Sequence, residues 1–413
     1  MTKADKEGQR KAPILRFKGF TDDWEQRELG QLMEIGSVKR IHMNEWKNTG
    51  VPFFRARDIV AKFNNKKISD PIYISEETYN SNILKSGKVK KGQLLITGVG
   101  TIGIPYLITD DSPLYFKDGN VIWLKNNNYD GNFIFYFFTT NLFKNYLFKI
   151  TGTGTVGTYT IENAKKTPIS TPQINEQIKI GKLFNILENL LALYDRKLKL
   201  LSQVKKYFLD NLFAEKEYPN LRFKYFKKDK WEKTSLNSIV TYSNGKAHEK
   251  EINNKGNLDL VMMNSITTGG RLITKKKILS PQDTLNKNDI VIVLSDIAKG
   301  ELIGKSSVIP CDNQYVLNQR IGCLHPTLNI DSFFVSKYIN QKNRYFKSHA
   351  AGTSQINLSR SDVLNCTIYI PKVDEQHCVS NFIINVEKII NFYEYKKRHI
   401  IQIKNILLNT MFI

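Results

Sequence analysis

The sequence predicts a mixed α/β chain of the α+β type, with two related globular domains separated by two long helices that pair as an antiparallel coiled coil. Three observations predict it. Apolar residues recur at alternating steps of three and four over two long stretches, the mark of an a/d seam. Several other segments return after about 200 residues, a period that makes the chain a duplication. A turn that leads into an apolar strand occurs in both copies.

In chain order, residues 1–14 are a polar N-terminal tail and residues 15–171 the first globular domain. The domain opens on Pro13-Ile14-Leu15-Arg16-Phe17, then Trp24-Glu25 and Leu29, and the same order returns as Pro219-Asn220-Leu221-Arg222-Phe223, Trp231-Glu232 and Leu236. Lys91-Gly92-Gln93-Leu94-Leu95-Ile96 matches Lys287-Asn288-Asp289-Ile290-Val291-Ile292, a turn entering a strand. Asp130 and Asp331 each precede an aromatic, helix-like run and suit the N-cap position. Each copy then reaches a Gly-Thr pair, Gly154-Thr155 or Gly352-Thr353.

A first helix is expected over residues 172–214, a second domain over 215–370 and a second helix over 371–413. Both helices follow a proline (Pro172, Pro371) and open with Glu176-Gln177 or Glu375-Gln376, acidic charge that the helix dipole favours near an N-terminus. The expected seam is Leu183, Leu187, Leu190, Tyr194 and Leu201 on the first, and Phe382, Val386, Ile389, Tyr393 and Ile400 on the second, 199 residues on from the equivalent places. Lys197 and Lys396 break the seam at matched positions. Either lysine sets register there, or its stem reaches outward to solvent.

Lys and Arg outnumber Asp and Glu by 61 to 39, a formal net charge of +22 over 413 residues, and that excess asks for a polyanionic partner. No run of about 18 apolar residues and no signal-like apolar start is present, so a cytoplasmic protein without a membrane role is expected. The four cysteines (Cys311, Cys323, Cys366, Cys378) lack CxxC spacing, which favours reduced thiols over zinc ligands or disulfides.

Two segments imitate a nucleotide fingerprint, Gly98-Val99-Gly100-Thr101-Ile102-Gly103 and Gly152–Gly157. Neither opens a helix, which a dinucleotide site requires, and the second copy has no glycines to match the first segment. The histidines are scattered, no Walker A sequence occurs and no two prolines are adjacent. No catalytic residue, metal ligand or bound cofactor is therefore expected.

On the duplicated Leu-Arg-Phe…Trp openings, the Pro-x3-Glu-Gln helix starts, the two long helices and the Gly92–Ile96…Gly100–Gly103 segment, the chain resembles the specificity subunit of type I restriction-modification systems. The resemblance covers nearly the whole chain. It implies two target-recognition domains, each reading one half of a bipartite double-stranded DNA sequence, and helices that set the unread spacer and dock two modification (methyltransferase) subunits. It further implies that this chain is not catalytic. S-adenosylmethionine, ATP and magnesium would sit on partner subunits, the last two with restriction (translocase/nuclease) subunits. The second domain departs from the pattern, with Ser295-Asp296-Ile297-Ala298-Lys299-Gly300 in place of the glycine-rich segment.

Base edges are read by forked donors and amides, while phosphates take Lys, Arg, hydroxyls and backbone amides. Phe53-Phe54-Arg55-Ala56-Arg57-Asp58-Ile59 aligns approximately with Met262-Met263-Asn264-Ser265-Ile266, so the first domain offers Arg55 and Arg57 where the second offers Asn264, candidate readers of different bases. For Lys39, Arg40, Lys246, Lys299, Lys305 and Arg320, phosphate contact or plain solvation is the expectation. Gly100, Thr101, Thr153, Thr155, Ser354 and Gln355 lie in loops that could serve either purpose. A coiled-coil adaptor without a DNA role would explain the helices but leave the net charge unexplained, and an autonomous methyltransferase or nuclease would need catalytic motifs.

Overall fold

The computed structural model describes residues 12–126, 128–151, 157–213, 215–253, 255–279, 283–297 and 301–413. The chain divides into two compact units, Met1–Asp195 with Tyr395–Ile413, and Arg196–Glu394. Each long helix, Ile174–Leu212 or Val373–Thr410, therefore gives one half to each unit. The helix ends are core elements of the units. Ile180, Phe184, Leu187, Leu408, Met411 and Phe412 are buried with Trp24 and Phe133 in the first unit, as Leu212, Phe213, Val379 and Ile383 are with Trp231 and Phe334 in the second.

In the first unit a four-stranded antiparallel sheet runs in the order Glu34–Gly36, Val121–Lys125, Leu94–Thr97, Pro105–Leu107. Every residue of Leu94–Thr97 is buried, as its unbroken apolar run demands of a strand covered on both faces. A second sheet places Val51–Phe54 between Ile72–Ile74, antiparallel, and Tyr115–Phe116, parallel. Glu25–Glu28 pairs with Pro168–Thr171 where the first helix begins.

The second unit is built the same way. Its four-stranded sheet is Val240–Asn244, Ile321–Pro326, Ile290–Val293, Ser306–Val308, and its three-stranded sheet is Lys276–Ile278, Leu258–Val261, Tyr315–Leu317. Glu232–Ser235 pairs with Thr367–Ile370. One ladder is added, Ser295–Ile297 with Gln355–Asn357.

The duplicated sequence motifs meet one another at the helix starts. Arg16 clamps Glu176 through two hydrogen bonds of 2.8 and 2.7 Å, and Arg222 clamps Glu375 at 2.7 and 2.6 Å. The helix dipole favours an acid in this first turn, but a forked, mostly buried ion pair is the stronger cause. The adjacent glutamines tie helix to domain. Gln177 accepts from the Asp130 amide (3.0 Å) and donates to the Pro172 carbonyl (2.8 Å), and Gln376 does the same with Asp331 (2.9 Å) and Pro371 (2.9 Å).

Asp130 and Asp331 are N-caps, accepting from the Phe133 and Phe334 amides. Ser380 also donates to the Asp331 cap (2.7 Å), while the matching place in the first helix is Gly181, where a Cβ would stand 2.8 Å from Asn132 Cβ and closer still to the Asp130 carboxylate. Gly181→Ala gains about 1 kcal/mol of helix propensity. Displacing the cap and overfilling the contact cost about 2–4 kcal/mol together. A net loss of about 1–3 kcal/mol is expected in urea unfolding, against the usual sign for Gly→Ala in a helix.

Within each unit the two helix segments run antiparallel. In the first, Lys404 pairs with Glu188, and seven residues back along its own helix Lys397 pairs with Asp195, seven residues on from Glu188. In the second, Lys205 pairs with Glu387 at 2.6 Å and Phe208 meets Phe382 edge-on at 4.6 Å. The expected seam residues are mostly half-buried, and Ile389 is 47% exposed. Complete burial falls instead on Phe184 and Ile383, which face the domain cores. Lys197 does not simply reach for water: its ammonium sits 4.1 Å from the Tyr393 ring centroid, a cation–π contact on a seam residue.

In the first unit the Leu15 amide donates to the Thr410 carbonyl at 3.0 Å, and in the second the Leu221 amide donates to the Asn211 carbonyl at 3.0 Å.

Candidate nucleic-acid interface

Strand direction gathers one set of segments at a single end of each domain. In the first unit the strands Glu34–Gly36, Val51–Phe54 and Leu94–Thr97 all run out toward the turn 117–120, from which Val121–Lys125 starts back. Hydrogen bonds hold these exits together. The Lys117 amide donates to the Phe54 carbonyl (2.8 Å), the Gly98 amide to the Asn120 carbonyl (2.8 Å) and the Tyr115 hydroxyl to the Lys39 carbonyl (2.8 Å). Lys39, Arg40, Arg55, Arg57, Gly100 and Thr101 thus converge from three separate stretches of sequence.

The second unit repeats the construction around the turn 318–320. The Asn318 amide donates to the Val261 carbonyl (3.0 Å), the Leu294 amide to the Arg320 carbonyl (3.0 Å) and the Gly245 amide to the Ile321 carbonyl (3.2 Å). Lys246, Asn264 and Arg320 therefore share one end with Gln355, whose amide donates to Ser295 Oγ (2.6 Å), and with the exposed Ser354 beside it. Thr153, Thr155 and Lys299 lie outside the described residues.

The glycine-rich segment is the hairpin between Leu94–Thr97 and Pro105–Leu107, with Gly100 and Gly103 at φ of +70° and +75°. Its counterpart takes a different shape because Ser295–Ile297 is held as a strand by Gln355–Asn357. The base of the hairpin is nevertheless shared: the Tyr159 amide on the Gly98 carbonyl matches the Leu358 amide on the Leu294 carbonyl, and the Gly103 amide on the Thr97 carbonyl (2.7 Å) matches the Gly304 amide on the Val293 carbonyl (2.9 Å), both glycines having positive φ.

Several charged groups at these ends are already engaged. Arg55 holds Asp58 at 2.7 and 3.0 Å and donates to the Asp70 carbonyl at 2.7 Å, Arg40 holds Asp118 at 2.8 Å, and Lys246 pairs with Asp283. Lys305 turns inward onto the Asn340 carbonyl (3.3 Å), and burial pushes its pKa down. Asn318 and Gln319 both donate to Glu249, whose carboxyl the Asn318 bond holds below its ordinary pKa. Lys39 is exposed. Arg57 is 56% exposed, with carboxylates no nearer than 3.9 Å.

The backbone also makes the approximate alignment exact. Phe54 and Val261 occupy the same place on their parallel strands, so Arg55 corresponds to Met262 and Arg57 to Asn264. The caps agree, Asp58 bonding the Arg55 amide and Ser265 the Met262 amide. Sequence reading missed Asn120, Asn318 and Gln319, because an isolated amide residue in a turn looks like turn chemistry.

Asp289, Cys323 and His325 are the one group of this kind among the described residues, with possible ligand atoms within 4.8 Å of each other. The group is satisfied without a metal. Asp289 caps the turn through the Asn286 amide (2.8 Å) and accepts His325 Nδ1–H (2.7 Å), as Gln93 accepts from the Lys90 amide and Trp123 Nε1 in the first unit. Burial pushes the Cys323 thiol far up, away from the thiolate a metal needs. His325 is raised above its usual pKa, chiefly by the Asp289 hydrogen bond. A raised folded-state pKa stabilises fully below the unfolded value of about 6.5 and ceases to do so as pH climbs through the folded one. Melting temperature should therefore fall from about pH 6 toward pH 8 more steeply in the wild type than in His325→Asn, as calorimetry would show.

Residues 21–203 and 228–405 match the family model of the type I restriction modification DNA specificity domain. The chain is 30% identical over 164 residues to a Haemophilus influenzae protein assigned as a type I restriction enzyme specificity subunit, covering 40% of each. It is 23% identical over 280 residues to the MjaVIII specificity subunit of Methanocaldococcus jannaschii, 64% of each. The matched stretches thus span less than two thirds of these curated relatives. Among solved structures, the S subunit of a type I restriction-modification system from M. genitalium superposes with a TM-score of 0.61 at 13% identity, over 97% of this chain and 99% of that one. A chain from a study of complex assembly and conformational transition in a type I system gives 0.57 at 14% identity, over 94% and 96%. At such identities the likeness is one of fold.

Proposed function

From the premise that the chain belongs to the family of type I restriction-modification DNA specificity domains, which it carries twice, we propose that it is the non-catalytic, sequence-reading subunit of a type I restriction-modification complex. One observation carries the reading. Each unit gathers basic and amide side chains from three separate exits at one end of its sheets, and the two sets differ in chemistry. Two such ends suit the two halves of a bipartite duplex target, as paired half-site readers require.

The long helices set the spacing between half-sites and dock two modification subunits. Exposed Ile186, Leu193, Leu200 and Tyr207 recur every seven residues along the first helix, and Ile389, Phe392, Ile401 and Ile406 are exposed on the second, apolar surface that suits such partners. S-adenosylmethionine belongs to those subunits, and ATP and magnesium to restriction subunits. The complex works in the cytoplasm. Among the described residues no helix is long and apolar enough to cross a membrane.

The test is sequencing of methylated adenines in DNA from cells that express the chain with a modification partner. A single bipartite motif that vanishes when the chain is withheld is the expected result. Methyl transfer by the purified chain alone, or a motif independent of it, would refute the proposal.

A further inference from the structure

At two places in the interface the units present exchanged chemistry. The first is three residues beyond the shared strand carbonyl, Arg57 after Phe54 and Asn264 after Val261. The second is the last turn residue before the returning strand, Asn120 before Val121 and Arg320 before Ile321. These are matched by their hydrogen bonds, since the Asn120 and Arg320 carbonyls accept from the amides of Gly98 and Leu294, the residues that follow equivalent strands. One unit thus carries Arg then Asn where the other carries Asn then Arg.

These four side chains stay available while their neighbours are used. Arg55, Arg40 and Lys246 are held by carboxylates, and Asn318 and Gln319 by Glu249. Among the described residues Asn120, Asn264 and Arg320 make no side-chain hydrogen bond or ion pair, and Arg57 has only its two distant carboxylates. A free guanidinium fork matches the O6 and N7 of guanine, and a free carboxamide matches the N6 and N7 of adenine.

We propose that Arg57 and Arg320 read guanine while Asn120 and Asn264 read adenine, so that the two half-sites carry exchanged guanine and adenine contacts. This rests on the DNA-reading function proposed above. Lys39 and Lys117, next to them and without a fork, serve as phosphate contacts.

The experiment selects targets from a randomised duplex library with the full chain in complex with its modification subunits. Arg57→Ala should erase guanine preference at one position of one half-site, by roughly 5- to 100-fold, and leave the other half-site unchanged. Asn264→Ala should erase an adenine in the other half-site, and Asn264→Arg should turn it toward guanine. Arg57→Lys keeps the charge and the fold but not the fork, and should also lose the guanine. Weaker binding with an unchanged motif in these variants would mark phosphate contacts and overturn the assignment, as would a change in both half-sites from one substitution. A wild-type selection without any bipartite motif would overturn the function as well, whereas an intact motif indifferent to all four residues would overturn the assignment alone.

Discussion

Replacing Arg222 with Met is expected to destabilise the second unit by about 3–5 kcal/mol, because it leaves the Glu375 carboxylate buried without its counter-charge. The two side chains are only 6% and 2% exposed, and Trp231 Nε1 also donates to Glu375 at 3.2 Å. Solvent cannot take over the lost bonds. For a unit of this size the loss corresponds to a melting temperature about 10 °C lower. Trp231 is the second unit's tryptophan, so its fluorescence reports this transition. Arg222→Met combined with Glu375→Leu should recover most of the stability, since a buried ion pair is often replaceable by apolar side chains of similar volume. If the single variant lost less than about 1 kcal/mol, the clamp would be no more than a surface pair.

Inserting four residues into both long helices, after Asp195 and after Glu394, should lengthen the unread spacer without changing either half-site. Each added residue advances a helix by about 1.5 Å and turns it by about 100°, so four restore the facing of the downstream half to within about 40° and add about 6 Å. One base pair is about 3.4 Å, so the spacer should grow by one or two. A single-residue insertion in both helices turns the downstream half by about 100° and should abolish methylation at the original site. The methylated motif read from cellular DNA decides the matter, and rewritten half-site bases would locate recognition in the helices.

The duplication and the helices could both be read from the residues, because periodicity and motif order are local or recur at a fixed interval. The partnerships could not. Glu176 invited a helix-dipole reading, yet its partner Arg16 lies 160 residues away and only the fold brings them together. Arg55 was a candidate base reader by its forked donors and its matched position, and the acid that engages it, Asp58, shows its role only once the helix cap forms. Asn120 and Gln319 carried no signal beyond that of a turn. Seam periodicity named Leu183 and Phe382, but packing of the helices against the domains shifted full burial one residue on, to Phe184 and Ile383.

The hydrogen bond from Leu15 to Thr410 has a topological consequence. Its equivalent in the second unit, Leu221 to Asn211, closes a short continuous loop, whereas in the first the same two positions belong to chain segments at opposite extremes of the sequence. The same contact is thus made once within one continuous stretch and once between segments far apart in sequence. A gene rearranged to join Ile413 to Leu15 through a short linker, and to begin instead near Pro219, is expected to trace both units in reversed order while keeping Met411 and Phe412 in the first unit's core. Because each unit closes on its own contact of this kind, exchanging one half for another copy is expected to leave the bonds inside the other half in place.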